Sequence, residues 1–184
     1  MAAKIEEILV GIDEKAVFKP VNIALLTVSD TRTLADDTSG DILAERIKKA
    51  GHKLVARVIE KDDQLRLVAR LQNWTDDRDV DVIISTGGTG LTGRDVTPEA
   101  LEQVKTKDIP GFGEMFRYLS IANIGTSTIQ SRACAVVSRS TYIFALPGSN
   151  GAVKDGWDGI LQYQLDSRHR PCNFVELMPR LQEV

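Results

Sequence analysis

The sequence predicts an α/β fold, a three-layer αβα sandwich built on a mostly parallel sheet. Two observations carry that expectation. Val21–Val28 and Val80–Ser85 are nearly continuous apolar, β-rich runs, the pattern of strands buried on both faces. Between such runs lie stretches whose apolar residues recur at helical spacing, an alternation that predicts βαβ units. In sheets of this kind ligands collect beyond the carboxyl ends of the strands. Three polar loops fall at that edge, Ser29-Asp30, Thr86–Gly90 and Pro147–Ser149.

Along the chain, Ile5–Phe18 has apolar residues at 5, 8, 9, 12 and 16, a helical spacing that Pro20 ends. Residues 1–20 therefore read as an N-terminal helical arm and 21–184 as one α/β domain. After the first strand, Thr38 or Ser39 is the expected N-cap of a helix carrying Ile42, Leu43 and Ile47 and closing at Gly51. Leu54–Ile59 and Leu65–Trp74 repeat the cycle as strand and helix, and Val80–Ser85 then runs into the glycine loop. Thr97-Pro98-Glu99 reads as N-cap, N1 proline and first-turn acid of a short helix through Val104. A further helix begins at Pro110, with Phe112, Met115, Phe116 and Leu119 expected on one apolar face. Arg132–Val137 and Thr141–Leu146 read as strands, and Asn150–Leu165 as a closing helix.

Composition narrows the function. The 184 residues suit one core, with 42% hydrophobic and 27% charged residues. A formal net charge of -3 and the lack of a Lys/Arg block argue against nucleic-acid binding. No run of about 18 apolar residues suggests a membrane span, and no export signal is evident, so the expected location is cytoplasmic. Cys134 and Cys172 form no Cys-x-x-Cys pair, and His52 and His169 are read as surface residues too sparse in partners for a metal site.

The strongest motif is Thr86-Gly87-Gly88-Thr89-Gly90, with three glycines in four residues leaving a buried strand. Without Cβ atoms such a loop brings backbone N–H groups close to an anion, and the two threonines add hydroxyl donors. A plain tight turn is the alternative, although a turn needs only one or two glycines. The loop is neither a Walker A sequence nor a dinucleotide fingerprint, and no serine or cysteine hydrolase motif appears. Asp95 follows five residues later, placed to hold Mg²⁺ or orient an attacking group. Its alternative is a solvated acid paired with Arg94. Asp62-Asp63 can bring a second carboxylate to the same edge or serve as helix N-terminal acids. Asp36–Gly40 offers ligand contacts or a simple cap.

Together with Arg94–Ala100, Pro110–Glu114 and Leu146-Pro147-Gly148, the glycine loop resembles the MoaB/MogA family of molybdenum cofactor biosynthesis. The likeness runs from about Val21 to Phe174, and Gly125–Thr128 with Arg170–Phe174 is similar to the B branch of that family. The resemblance implies a molybdopterin-binding domain that forms homotrimers, in some members paired into hexamers, with other molybdenum cofactor biosynthesis proteins as further candidate partners. It also implies transfer of AMP from ATP, with Mg²⁺, onto the molybdopterin phosphate. Carried over by motif, Asp95 and Asp62 are the catalytic acids. Ser29, Asp30, Thr86, Gly87, Gly88, Thr89, Gly90, Pro147, Gly148 and Ser149 bind substrate or nucleotide, and no residue is assigned as a metal ligand. The sequence departs from the family pattern after the second strand, where Ile59-Glu60-Lys61-Asp62-Asp63 puts Lys61 at the acid's place unless one residue is inserted. An insertion brings Asp62 there and keeps the apolar periodicity at Leu67 and Leu71. A non-catalytic molybdopterin-binding or scaffold protein of the same pathway is the alternative function.

Overall fold

A computed structural model describes residues 11–183. Strands β1 (Asn22–Val28), β2 (Lys53–Glu60), β3 (Val82–Thr86), β4 (Lys107–Asp108), β5 (Cys134–Ser138) and β6 (Thr141–Leu146) form one sheet in the order β2-β1-β3-β6-β5-β4. The first four run parallel, and β5 is antiparallel to both β6 and β4. The sheet is thus mostly parallel, as its apolar runs predict. Every residue of β3 and β6 is buried, which explains why these segments do not alternate in polarity.

Helices cover both faces. Helices α1 (Thr38–Lys49), α4 (Pro110–Ile124) and α5 (Asn150–Gly156) pack on one side, where Leu43, Ile47, Phe112, Phe116 and Val153 meet the inward residues of the strands. Helices α2 (Gln64–Asp76) and α3 (Thr97–Val104) close the other side through Leu67, Leu71, Trp74 and Leu101. The chain winds outward from β1 to β2, then crosses back over β1 to β3 and on toward β6. The carboxyl ends of β1 and β3 therefore flank the switch point, where neither strand's onward connection covers the crevice. Ser29 and the glycine loop emerge there.

Several local expectations are corrected. Gly11–Pro20 is not helical; Ile12 bridges to His169, the Asp13 N–H donates to the Arg168 carbonyl, and the Lys19 N–H donates to Ser167. These backbone groups find partners across the chain rather than one helical turn away; the earlier part of the arm lies outside the described residues. The cap of α1 is Asp37, whose side chain accepts from the Gly40 N–H, rather than Thr38 or Ser39. Val96, not Thr97, precedes α3, and no side chain caps that helix. Met115 is 43% exposed and lies off the core face of α4 defined by Phe112, Phe116 and Leu119. Both histidines are buried: His52 packs between Phe18 and Trp157 and accepts from the Val21 N–H at 3.3 Å, while His169 lies beside the Tyr163 ring. The closing helix passes through a π-helical turn at Trp157–Leu161 before ending as Gln162–Gln164 (α6), and a short helix Phe174–Leu177 (α7) follows.

Candidate active site at the glycine loop

The glycine loop is shaped by contacts that only glycine permits. Gly87 has φ +104°, and a Cβ there would lie 2.2 Å from the Val28 carbonyl oxygen of β1. Gly88 has φ +64°, and its Cβ would meet the Thr97 hydroxyl at 2.4 Å and Asp62 Oδ1 at 3.0 Å. Non-glycine residues rarely adopt such backbone angles. Thr97 clamps the turn: its hydroxyl donates to the Gly87 carbonyl at 2.9 Å and its N–H donates to the Gly88 carbonyl at 3.0 Å. The residue expected to cap α3 with its side chain thus fastens the loop to the start of that helix.

The loop's donors are divided. The Gly87 N–H is taken by the Leu146 carbonyl of β6, whereas the Gly88 and Thr89 N–H groups have no partner among the described residues. Two adjacent amides are therefore available to an anion. Thr86 is fully buried and its hydroxyl donates to the Pro147 carbonyl, which ties the loop to the neighbouring strand end. Gly148 approaches Gly87 so closely that a Cβ would sit 3.3 Å from the Gly87 Cα. Ser149 accepts from the Ala152 N–H and caps α5.

Three carboxylates surround this loop. Asp62 is half-buried against Gly88, and burial, reinforced by repulsion from Asp30 and Asp95, raises its pKa. Lys61, the competing residue, is exposed. Asp95 lies against Gly90, and the Thr92 hydroxyl and N–H, both donating to Oδ2, hold its pKa down despite partial burial. Arg94 does not pair with Asp95; its guanidinium bonds Asp30 instead. The Ser29 hydroxyl accepts from the Arg32 N–H, so Ser29 shapes the turn after β1.

Two arginines escaped sequence reasoning as parts of the site. Arg132 donates to the Gly90 and Asp95 carbonyls, both at 2.7 Å, and pairs with Glu99. Arg32 donates to Ser39, to buried Asp37 and to the Gly148 carbonyl. Nothing in its spacing marks Arg132, which reaches the site across a long sequence separation; Arg32 follows Ser29-Asp30 after the first strand, where the family pattern has Ser-Asp-Arg, and that position was its one signal. Asp37 itself, fully buried, accepts from Thr27, Gly40 and Arg57. Asp36–Gly40 is thus a structural node rather than an open cap.

The glycine loop opens on a cleft of about 640 Å³. Gly87–Gly90, Asp95 and Pro147–Ser149 line it together with Phe116, Asn123 and Ile124 of α4 and Asp155 of α5. Ser29, Asp30, Asp62 and Thr86 do not line it; they support the loop or flank it. The cleft is of ordinary size for a small-molecule site. Among the described residues no group of three or more His, Cys, Asp and Glu side chains is placed to hold a metal ion, and no helix is long and apolar enough to cross a membrane.

Fold and site together define a class, the doubly wound α/β domains that carry an anion-ready loop at a strand-end switch point. Residues 24–167 match the family model described as "Probable molybdopterin binding domain". The chain is 48% identical over 157 residues to molybdenum cofactor biosynthesis protein B of Escherichia coli K12, covering 85% of this chain and 92% of that one. It is 42% identical over 151 residues to the protein of the same name from Staphylococcus carnosus, covering 80% and 88%. A crystal structure of a molybdenum cofactor biosynthesis protein B superposes with a TM-score of 0.80 at 36% identity, covering 90% of this chain and 98% of that one. The tungsten cofactor synthesizing protein MoaB from Pyrococcus furiosus gives a TM-score of 0.74 at 30% identity, covering 90% and 99%. The chain belongs to the MoaB family of molybdenum cofactor biosynthesis proteins, and its α/β domain is the molybdopterin-binding domain of that family.

Proposed function

We propose that this protein binds molybdopterin in the cleft and transfers AMP from ATP to the molybdopterin phosphate. The observation that carries the proposal is the pair of available amides at Gly88 and Thr89, set beside the carboxylates of Asp62 and Asp95. In the transfer a molybdopterin phosphate oxygen attacks the α-phosphorus of ATP, the bond to the bridging oxygen breaks, and pyrophosphate leaves. Such chemistry depends mainly on positioning and on donors aimed at phosphate oxygens. The two amides supply donors, and the Thr97 clamp keeps them in place.

Mg²⁺ usually binds through one or two carboxylates together with substrate phosphates and water. The surroundings of Asp62 fit that requirement, since burial and two neighbouring acids disfavour its charge and a cation would relieve it. Asp62 would hold the ion together with substrate phosphate, Asp30 being engaged by Arg94, and the ion would offset phosphate charge in the transfer. Asp95, tied to Thr92 and bordering the cleft, fixes the far side of the loop and orients the phosphate held there.

The test is single-turnover AMP transfer by wild type and Asp95→Asn at saturating molybdopterin. The rate should fall by about 10²-fold, the scale of losing an oriented polar group in such a site, with binding changed less. Equal rates would remove Asp95 from the mechanism.

We also propose that the chain associates with copies of itself. Support comes from Met115, Tyr118, Ile121 and Ile124, which form an exposed apolar stripe along α4.

A further inference from the structure

The elements that line the cleft differ in chemistry. On the glycine loop the protein offers donors, the Gly88 and Thr89 amides, with the Arg32 guanidinium in the same lining. Where α4 and α5 line the cleft it offers an acceptor, the carboxylate of Asp155. Its Oδ1 accepts from Asn123 Nδ2 at 2.8 Å, and Oδ2 faces the Ser120 hydroxyl at 3.5 Å. Ser120 is only 2% exposed, so the carboxylate is aimed from a fixed support on α4. Both donors are neutral. A carboxylate oxygen can accept more than one hydrogen bond, so Asp155 keeps acceptor capacity on the cleft side. Ile124, exposed at the end of α4, supplies apolar surface in the same lining for a flat ring.

We infer that Asp155 reads the 2-amino-4-oxo-pyrimidine edge of the pterin, placing the ring system where α4 and α5 line the cleft while the phosphate lies on the glycine loop. This assignment rests on the molybdopterin reading of the cleft and adds the polarity with which the substrate lies in it. The edge in question presents an N3–H and a 2-amino N–H side by side. Two parallel donors match the two oxygens of one carboxylate, a bidentate and charge-assisted arrangement. Adenine presents one donor and one acceptor on its corresponding edge and cannot make that match. Asp155 therefore discriminates between the two substrates of the proposed transfer and keeps the adenine of ATP out of the pterin subsite. Asn123 and Ser120 are positioning residues that hold the carboxylate for this contact.

The experiment titrates wild type, Asp155→Asn and Asn123→Ala with molybdopterin and with two probes, pterin-6-carboxylate and lumazine-6-carboxylate. Lumazine carries a 2-oxo group where pterin carries the 2-amino group, so one donor of the edge becomes an acceptor. Wild type should prefer the pterin by about tenfold to hundredfold, the range for hydrogen bonds to a charged group. Asp155→Asn should lose that preference and bind ATP as wild type does, and Asn123→Ala should retain a reduced preference. A role for Asp155 only in joining α4 to α5 would leave the amino-to-oxo discrimination intact. Equal binding of the two probes by wild type, or an undiminished preference in Asp155→Asn, would overturn the assignment. Wild-type binding of molybdopterin alongside that result would leave the molybdopterin reading standing. Failure of wild type to bind molybdopterin at all would overturn both.

Discussion

Asp62 and Asp37 are acids near the sheet edge whose surroundings act in opposite directions. For Asp62, burial and the nearby Asp30 and Asp95 raise the pKa, so ionisation costs more in the folded chain than in the unfolded one. Its contribution to stability therefore falls as pH rises through the raised value. Asp62→Asn should remove that slope and gain a few tenths of a kcal/mol at neutral pH, a small figure because solvent screens the site. Urea unfolding at pH 4 and 7 checks this, and AMP transfer should fall in the same variant. For Asp37, burial pushes the pKa up but is outweighed by bonds from Thr27 and Arg57, and the net shift is downward. That stabilisation is present above the unfolded value of 3.8 and is lost as pH falls through the lower folded value. Asp37→Ala leaves Arg57 and Thr27 without their shared partner and should cost about 3 kcal/mol in urea unfolding at pH 7. An unchanged midpoint would contradict the part given to Asp37.

At the scale of elements, the glycine loop makes a contrast that alanine can test. Gly87→Ala combines a positive φ with a 2.2 Å approach to the Val28 carbonyl, and should cost about 2 kcal/mol or more and reduce binding. Gly93, in the same connection, has open space for 4 Å around the place a methyl group would take and no left-handed backbone angle, so Gly93→Ala should be neutral. Thermal unfolding of the pair reads both outcomes. The loop was legible in the sequence because a strand followed by clustered glycines allows few other structures. The layers and the mostly parallel sheet followed similarly from continuous apolar runs that no solvent-facing sheet would tolerate, whereas the strand order β2-β1-β3-β6-β5-β4 depends on pairing that those runs do not encode. Other features depended on the tertiary partners of single side chains. Asp37 displaced Thr38 and Ser39 as cap because Thr27 and Arg57 also converge on it. Met115 left the core face because the spacing of Phe112, Met115, Phe116 and Leu119 spans a wider arc than the sheet covers. The histidines became buried through Phe18, Trp157 and Tyr163, which come from distant segments. Arg132 joined the site in the same way, by reach rather than by motif.

For the whole molecule, the exposed stripe on α4 bears on assembly and the cleft bears on catalysis. If copies associate through Met115, Tyr118, Ile121 and Ile124, light scattering at micromolar concentration should report an oligomer for wild type and a smaller mass for Ile121→Asp. A monomeric wild type would contradict self-association. The reaction itself is tested by incubating the purified protein with molybdopterin, ATP and Mg²⁺ and detecting products by mass. Adenylylated molybdopterin and pyrophosphate should form in equal amounts. Molybdopterin that remains bound but unmodified, with ATP intact, would contradict AMP transfer and leave a protein that binds the pterin without adenylylating it.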